Sequence, residues 1–120
     1  MLSASCHCGA VRLEIDRKPR ELTECNCSIC RRYGARWAYY HRKSVRVLCA
    51  PGALSVYSWG NKVLEFNHCK ACGSVVFHEA AKKAGDETPI AVNARMMQPE
   101  DVASIRVRML DGASTWKYLD

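Results

Sequence analysis

Seven of the eight cysteines in the chain fall in three short groups, and thiols spaced this way do metal chemistry or thiol chemistry. The groups are Cys6-His7-Cys8-Gly9, Cys25-Asn26-Cys27-Ser28-Ile29-Cys30 and Cys69-Lys70-Ala71-Cys72-Gly73. They offer two, three and two sulfurs. In an extended segment residues i and i+2 point to one side, so Cys6 and Cys8 can aim at a single ion. Cys69 to Gly73 has the form of a knuckle, in which the glycine permits the tight turn. Cys25, Cys27 and Cys30 pack three donors into six residues, so a short loop can wrap one face of an ion. Thiolates at this density favour zinc over the harder cations.

A closed structural zinc takes four ligands, whereas a catalytic zinc takes three and keeps an open position. Joining the first group to the third gives four sulfurs and leaves the second with three. Joining the first group to two sulfurs of the second is another partition that the count allows. The first and third groups are 61 positions apart. An ion joining them closes a long loop and so restricts the unfolded chain. On that reading the 6/8/69/72 site folds the domain and the 25/27/30 site acts. Cys49 stands alone at the end of an alternating stretch from Val45 and is expected to be a small core residue.

The elements that must hold these groups read as strands. Val11, Leu13 and Ile15 alternate with Arg12, Glu14 and Asp16. Further strands are expected at Ala35 to His41, Val45 to Val47, Leu54 to Tyr57, Lys62 to Asn67, Val75 to Phe77, Ile90 to Asn93 and Ile105 to Met109. Pro51-Gly52 marks a turn, Pro99 to Val102 a single helical turn, and Ser28 to Tyr33 another within the second cysteine group. Ala80 to Pro89 reads as a solvated loop. The 120 residues form one domain, 1–120, and contain no internal repeat. At 48% apolar and 25% charged residues the composition is that of a globular chain. No stretch approaches the roughly 18 apolar residues of a membrane-spanning helix. Residues 1–6 have neither the basic patch nor the apolar run of a secretory signal, so the cytoplasm is the expected compartment and metal the expected use of the thiols.

The cysteine pattern resembles the glutathione-dependent formaldehyde-activating enzyme family, also called the centromere protein V/Gfa domain. The matching segments are Cys6 to Val11, Cys25 to Gly34, Phe66 to Ser74, and Asn93-Ala94-Arg95-Met96. The resemblance spans roughly residues 4–110 and departs at His68, where relatives often carry an aromatic residue. It implies a mainly β, Mss4-like fold: several small, coiled antiparallel β-sheets around a structural zinc. It implies that this zinc sits on Cys6, Cys8, Cys69 and Cys72, and a second, catalytic zinc on Cys25, Cys27 and Cys30. The implied activity is a carbon–sulfur lyase run backwards, condensing formaldehyde with glutathione to S-(hydroxymethyl)glutathione. The implied partners are a small-molecule thiol and an aldehyde, with glutathione as co-substrate.

An open zinc can bind the thiol sulfur and favour its ionised form, or polarise the carbonyl oxygen. Three thiolates already donate charge to the ion, which favours the first role. Glutathione brings two carboxylates and an ammonium, and arginine forks suit carboxylates. Arg31, Arg32 and Arg36 are therefore candidates for its binding, with Tyr33 and Trp37 as walls and Asn93 orienting substrate. Trp59-Gly60-Asn61 is a candidate turn over the site, and His68 a candidate acid or base. The net charge of +6 counts thiols as neutral; two loaded thiolate sites lower it to about +3, which is weak evidence for nucleic acid. The alternative function is a zinc-stabilised binding module without catalysis for a protein or nucleic-acid partner, using Arg31, Arg32, Arg36, Arg42 and Lys43 as its face. A third reading makes the second group labile redox thiols.

Overall fold

The computed structural model describes residues 1–120. Its strands are β1 (Leu2–Ser5), β2 (Arg12–Ile15), β3 (Glu21–Cys25), β4 (Trp37–His41), β5 (Val45–Leu48), β6 (Leu54–Tyr57), β7 (Leu64–Cys69), β8 (Val75–Ala80), β9 (Pro89–Asn93) and β10 (Arg106–Leu110). Two single-turn α-helices, α1 (Cys30–Tyr33) and α2 (Pro99–Val102), and three short 3-10 turns complete it, with Pro99 in the first turn of α2 as expected. The fold is mainly β. Three strands form one antiparallel sheet in the order β1-β2-β5, and seven form a second in the order β10-β3-β4-β9-β8-β7-β6.

The exception to antiparallel pairing is β10, which runs parallel to β3 in the register Arg106↔Glu21 through Leu110↔Cys25. A parallel pair needs a long connection, and here nearly the whole domain intervenes. The pairing brings residues after Leu110 against the loop after Cys25, where the second cysteine group lies.

Strand alternation sorts the large sheet into two faces. One face meets the small sheet. Leu13, Ile15 and Val45 pack there with Leu22, Ala38, Tyr40, Phe77, Ile90 and Val92 in the main core. A second cluster combines Cys25, Cys30, Ala35, Trp37, Phe66 and Ala91. In register, Tyr39 and His78 both oppose Ala91, and Phe66 opposes His78. Aromatic side chains from three strands thus surround one small residue.

The alternation-based strands are all present, with boundaries shifted by a few residues, and β8 runs on to Ala80. Sequence reasoning missed β1 and β3. Leu2-Ser-Ala-Ser and Glu21-Leu-Thr-Glu-Cys are short and lack a run of branched or aromatic residues, so only their pairing identifies them. Cys49 corrects another expectation. It is exposed, because β5 ends at Leu48 and the chain leaves the sheet for the turn at Pro51-Gly52. No helix is long and apolar enough to cross a membrane.

Candidate active site and metal centres

The sulfurs of Cys6, Cys8, Cys69 and Cys72 lie within 4.8 Å of one another. The partition of first group with third is therefore the one the fold adopts. Cys6 Sγ is 3.7 Å from Cys8 Sγ, and Cys8 Sγ is 3.6 Å from Cys69 Sγ. Four sulfurs around one zinc, each at about 2.3 Å, stand about 3.8 Å apart, so this spacing fits a tetrahedral ion. The first pair follows β1 and the second starts at Cys69, the last residue of β7, where Gly73 takes φ 79° and its N–H donates to Cys69 O at 2.8 Å. A side chain in that left-handed region would be strained. The N–H of Val11 donates to Cys6 Sγ at 3.3 Å. Hydrogen bonding from Ser74 pulls the Cys72 thiol down to about 5, which makes it a ready thiolate donor.

The second cluster brings Cys25, Cys27 and Cys30 within the same 4.8 Å. Cys25 ends β3, Cys27 sits in the following turn, and Cys30 opens α1. That helical turn is held by Arg31 N–H donating to Cys27 O and Tyr33 N–H to Ile29 O, each at 3.1 Å. Trp37 Nε1–H donates to Cys30 Sγ at 3.4 Å, and Cys30 N–H to Cys27 Sγ at 3.4 Å. Burial raises the Cys25 and Cys30 thiols. Burial also raises Cys27, but the Cys30 and Ile29 N–H groups and the neighbouring thiols outweigh it and hold this thiol below its usual range. The three donors fit a soft cation, and the set is one short of a closed tetrahedron.

All three cysteines line a cavity of about 350 Å³. Trp37, Tyr39, Trp59, Phe66 and Trp116 are its aromatic walls, and Ile29, Leu64 and Leu110 add aliphatic ones. His78 also lines it. This residue is 8% exposed, its ring stands edge-on to Trp37 at 4.6 Å, and its Nδ1 is buried without a partner. Burial pushes its pKa down to about 4, so the ring is neutral near pH 7.

Gly112 and Trp116 close the site from a segment that sequence reasoning did not connect to it. This segment is pinned at both ends. Asn26 donates from Nδ2 to Asp111 Oδ1 at 3.0 Å, and Ala113 N–H donates to Asn26 Oδ1 at 2.9 Å. Further on, the Thr23 and Tyr118 hydroxyls are 2.9 Å apart. Trp116 itself has φ 60°, an unusual conformation for a side-chain-bearing residue, with its N–H donating to Asp111 O at 2.8 Å. A Cβ built on Gly112 would stand 2.4 Å from Cys25 Sγ and 3.3 Å from Cys27 Cβ. Only glycine allows this approach.

The expected substrate-binding residues are dispersed. Trp37 lines the cavity, and Trp59 does so too, as the turn over the site. Arg32 and Tyr33 lie beside a shallow depression with Tyr57, and this depression shares Ile29 and Trp59 with the cavity. Arg32 donates to Ser28 O at 2.6 Å. Arg31 is exposed on α1, and Arg36 pairs with Glu24 at 2.9 Å; neither lines the cavity. Asn93 is buried away from it, accepting from Arg95 N–H and donating to Val75 O. His68 Nε2 is 3.0 Å from Tyr33 Oη and likewise does not line the cavity. On the basic face, Arg42 pairs with Glu79 and Lys43 with Glu87, which offsets its charge.

One set of four thiols, and one set of three opening on an apolar cavity, define a β domain with two candidate metal sites of different kinds. The chain belongs to the glutathione-dependent formaldehyde-activating enzyme family, whose model matches residues 1–110. It is also similar to a Rhodobacter sphaeroides protein of known crystal structure, at 26% identity and a TM-score of 0.69, over 88% of this chain and 99% of that one. The family's description names glutathione and formaldehyde as the small molecules concerned.

Proposed function

We propose that the protein is a zinc-dependent carbon–sulfur lyase-type enzyme that joins and separates a thiol and an aldehyde, with glutathione as the thiol. The observation that carries this is the convergence of three thiols, one donor short of a closed set, at a cavity whose other walls are mostly apolar. Zinc on Cys6, Cys8, Cys69 and Cys72 is structural, and zinc on Cys25, Cys27 and Cys30 belongs to the active site. When bound there, it supplies a cation that favours the ionised form of the substrate thiol.

The chain's own residues do the rest. The N–H groups of Trp37 and Cys30 fix the sulfurs of Cys30 and Cys27. The aromatic walls give the carbonyl carbon an apolar surround. Addition forms the C–S bond as the carbonyl π pair moves to oxygen, and the proton lost by the thiol ends on that oxygen. The depression beside Arg32 and Tyr33 suits the peptide part of glutathione, with Arg32 offering a fork to a carboxylate.

The test is Cys27→Ala, assayed with glutathione and formaldehyde by rapid mixing against the uncatalysed rate. Turnover is expected to fall to background while the thermal transition persists, and metal content to fall from about two ions to about one. A folded variant that still turns over would remove the three-cysteine site from the mechanism.

A further inference from the structure

All three tryptophans of the chain, Trp37, Trp59 and Trp116, line the cavity beside Cys25, Cys27 and Cys30. No Lys, Arg, Asp or Glu lines it; apart from the thiols its ionisable side chains are Tyr39 and His78. Burial holds His78 neutral. Away from the three cysteines, such a space has no side chain to pair with a carboxylate or an ammonium, each of which costs several kcal/mol to strip of water unpaired. Glutathione's charged ends must therefore stay outside it.

Size also leaves the smallest occupant loosely held. A dry cavity of about 150 Å³ lined by apolar side chains accommodates a benzene ring. This one, at about 350 Å³, has roughly twice that room. Formaldehyde has two heavy atoms and would leave nearly all of the aromatic wall uncovered.

We propose that the aldehyde handled at this site carries a bulky apolar group, an aromatic ring or a medium-length alkyl chain, which fills the cavity while its carbonyl carbon lies at the three cysteines. The proposal rests on the thiol–aldehyde reading of the site. The reaction keeps its balance: one C–S bond forms, the carbonyl π pair passes to oxygen, the thiol proton ends there, and no oxidant or reductant is needed. Trp59 and Trp116 are the specificity-determining walls. They are 45% and 70% exposed, so each has a free face for an arriving ligand. Trp116 lies beyond residues 1–110, so part of this wall lies outside the family-matched segment.

The test uses the full chain as purified. Tryptophan emission reports occupancy directly, since every indole lines the cavity. Benzyl alcohol and cyclohexylmethanol are titrated against methanol, and glutathione-dependent rates are compared for phenylacetaldehyde, hexanal and formaldehyde. The two apolar alcohols are expected to shift the emission saturably, and methanol not to. Phenylacetaldehyde is expected to exceed formaldehyde in kcat/KM by at least about tenfold, and Trp59→Ala or Trp116→Ala to lower that ratio by about tenfold. If formaldehyde is the faster substrate and benzyl alcohol leaves the emission unchanged, the proposal is overturned and the thiol–aldehyde reading stands. If benzyl alcohol binds but no aldehyde is accelerated, the reading itself falls, and the proposal with it.

Discussion

Replacing Gly112 by alanine is expected to empty the three-cysteine site and leave the four-cysteine site loaded. The new Cβ would begin 2.4 Å from Cys25 Sγ. Ordinary contacts between heavy atoms lie at about 3.5–4.0 Å, so the pair must separate by about 1 Å or more. Neither side yields easily. Cys25 is buried at the end of β3, where Leu110 pairs with it. The Gly112 segment is tied by Asp111 N–H to Lys117 O at 2.9 Å and by the Asn26 side chain to Asp111 and Ala113. Metal–ligand distances tolerate only about 0.2 Å, several times less than the forced movement. If Cys25 moves, the ligand set loses its geometry. If the segment moves, the set loses the Gly112 N–H that lowers the Cys25 thiol, and the cavity loses the Trp116 wall. The assay is metal per chain by elemental analysis, with competition against a chromophoric chelator. About two ions are expected for the native chain and about one for Gly112→Ala, with the thermal transition retained. Two tightly held ions in the variant would refute the packing argument.

Other perturbations test other parts of the structure. His78 has a folded pKa lowered to about 4 from an ordinary 6.5, so the unfolded chain binds the extra proton between those values and stability falls as the pH drops through that window. His78→Leu should remove on the order of 3 kcal/mol of this acid sensitivity, read as the difference between the two chains' denaturant midpoints at pH 7 and pH 4; equal pH slopes would contradict it. A chelator strong enough to strip the four-cysteine site releases a loop of about 60 residues, equivalent to about 4 kcal/mol of constraint, and should lower Tm on the order of 15 °C in calorimetry. An unchanged Tm after verified metal loss would show that the site does not hold the fold. Arg32→Ala should raise the KM for glutathione by about fivefold to tenfold with little change in kcat, and a KM unmoved in steady-state kinetics would clear the depression of that role.

The cysteine groups were legible because their spacing is local: Cys6 with Cys8, and Cys69 with Cys72, bring their sulfurs together within a few residues, whatever the rest of the chain does. The strands at Val11 to Ile15 and Ile105 to Met109 were legible through alternation, which burial of one face imposes. Of the walls of the site, Trp37 and Trp59 were legible, and those from the segment after Leu110 were not. Gly112 meets Cys25 only because β10 pairs with β3, a contact 85 positions apart that no local pattern encodes. Arg31 and Arg32 adjoin Cys30 in sequence, yet neighbouring residues on a helical turn face different directions, and both point to solvent while Cys30 is buried. Asn93 is taken up by backbone partners, which is a common fate of a buried amide.

The parallel pairing of β10 with β3 also sets an order of assembly during synthesis. Cys25, Cys27 and Cys30 leave the ribosome early, but the strand and turn that cover them are made about 80 residues later, roughly 4–16 s at ordinary translation rates. The four-cysteine site can close as soon as Cys72 has emerged, well before that. With a metal ion taken up there, the nascent chain carries a closed four-sulfur clip alongside three thiols that still lack their cover from Gly112 and Trp116. In that interval these thiols are open to wrong metals, oxidants and mixed disulfides, to which the folded site presents only its cavity mouth.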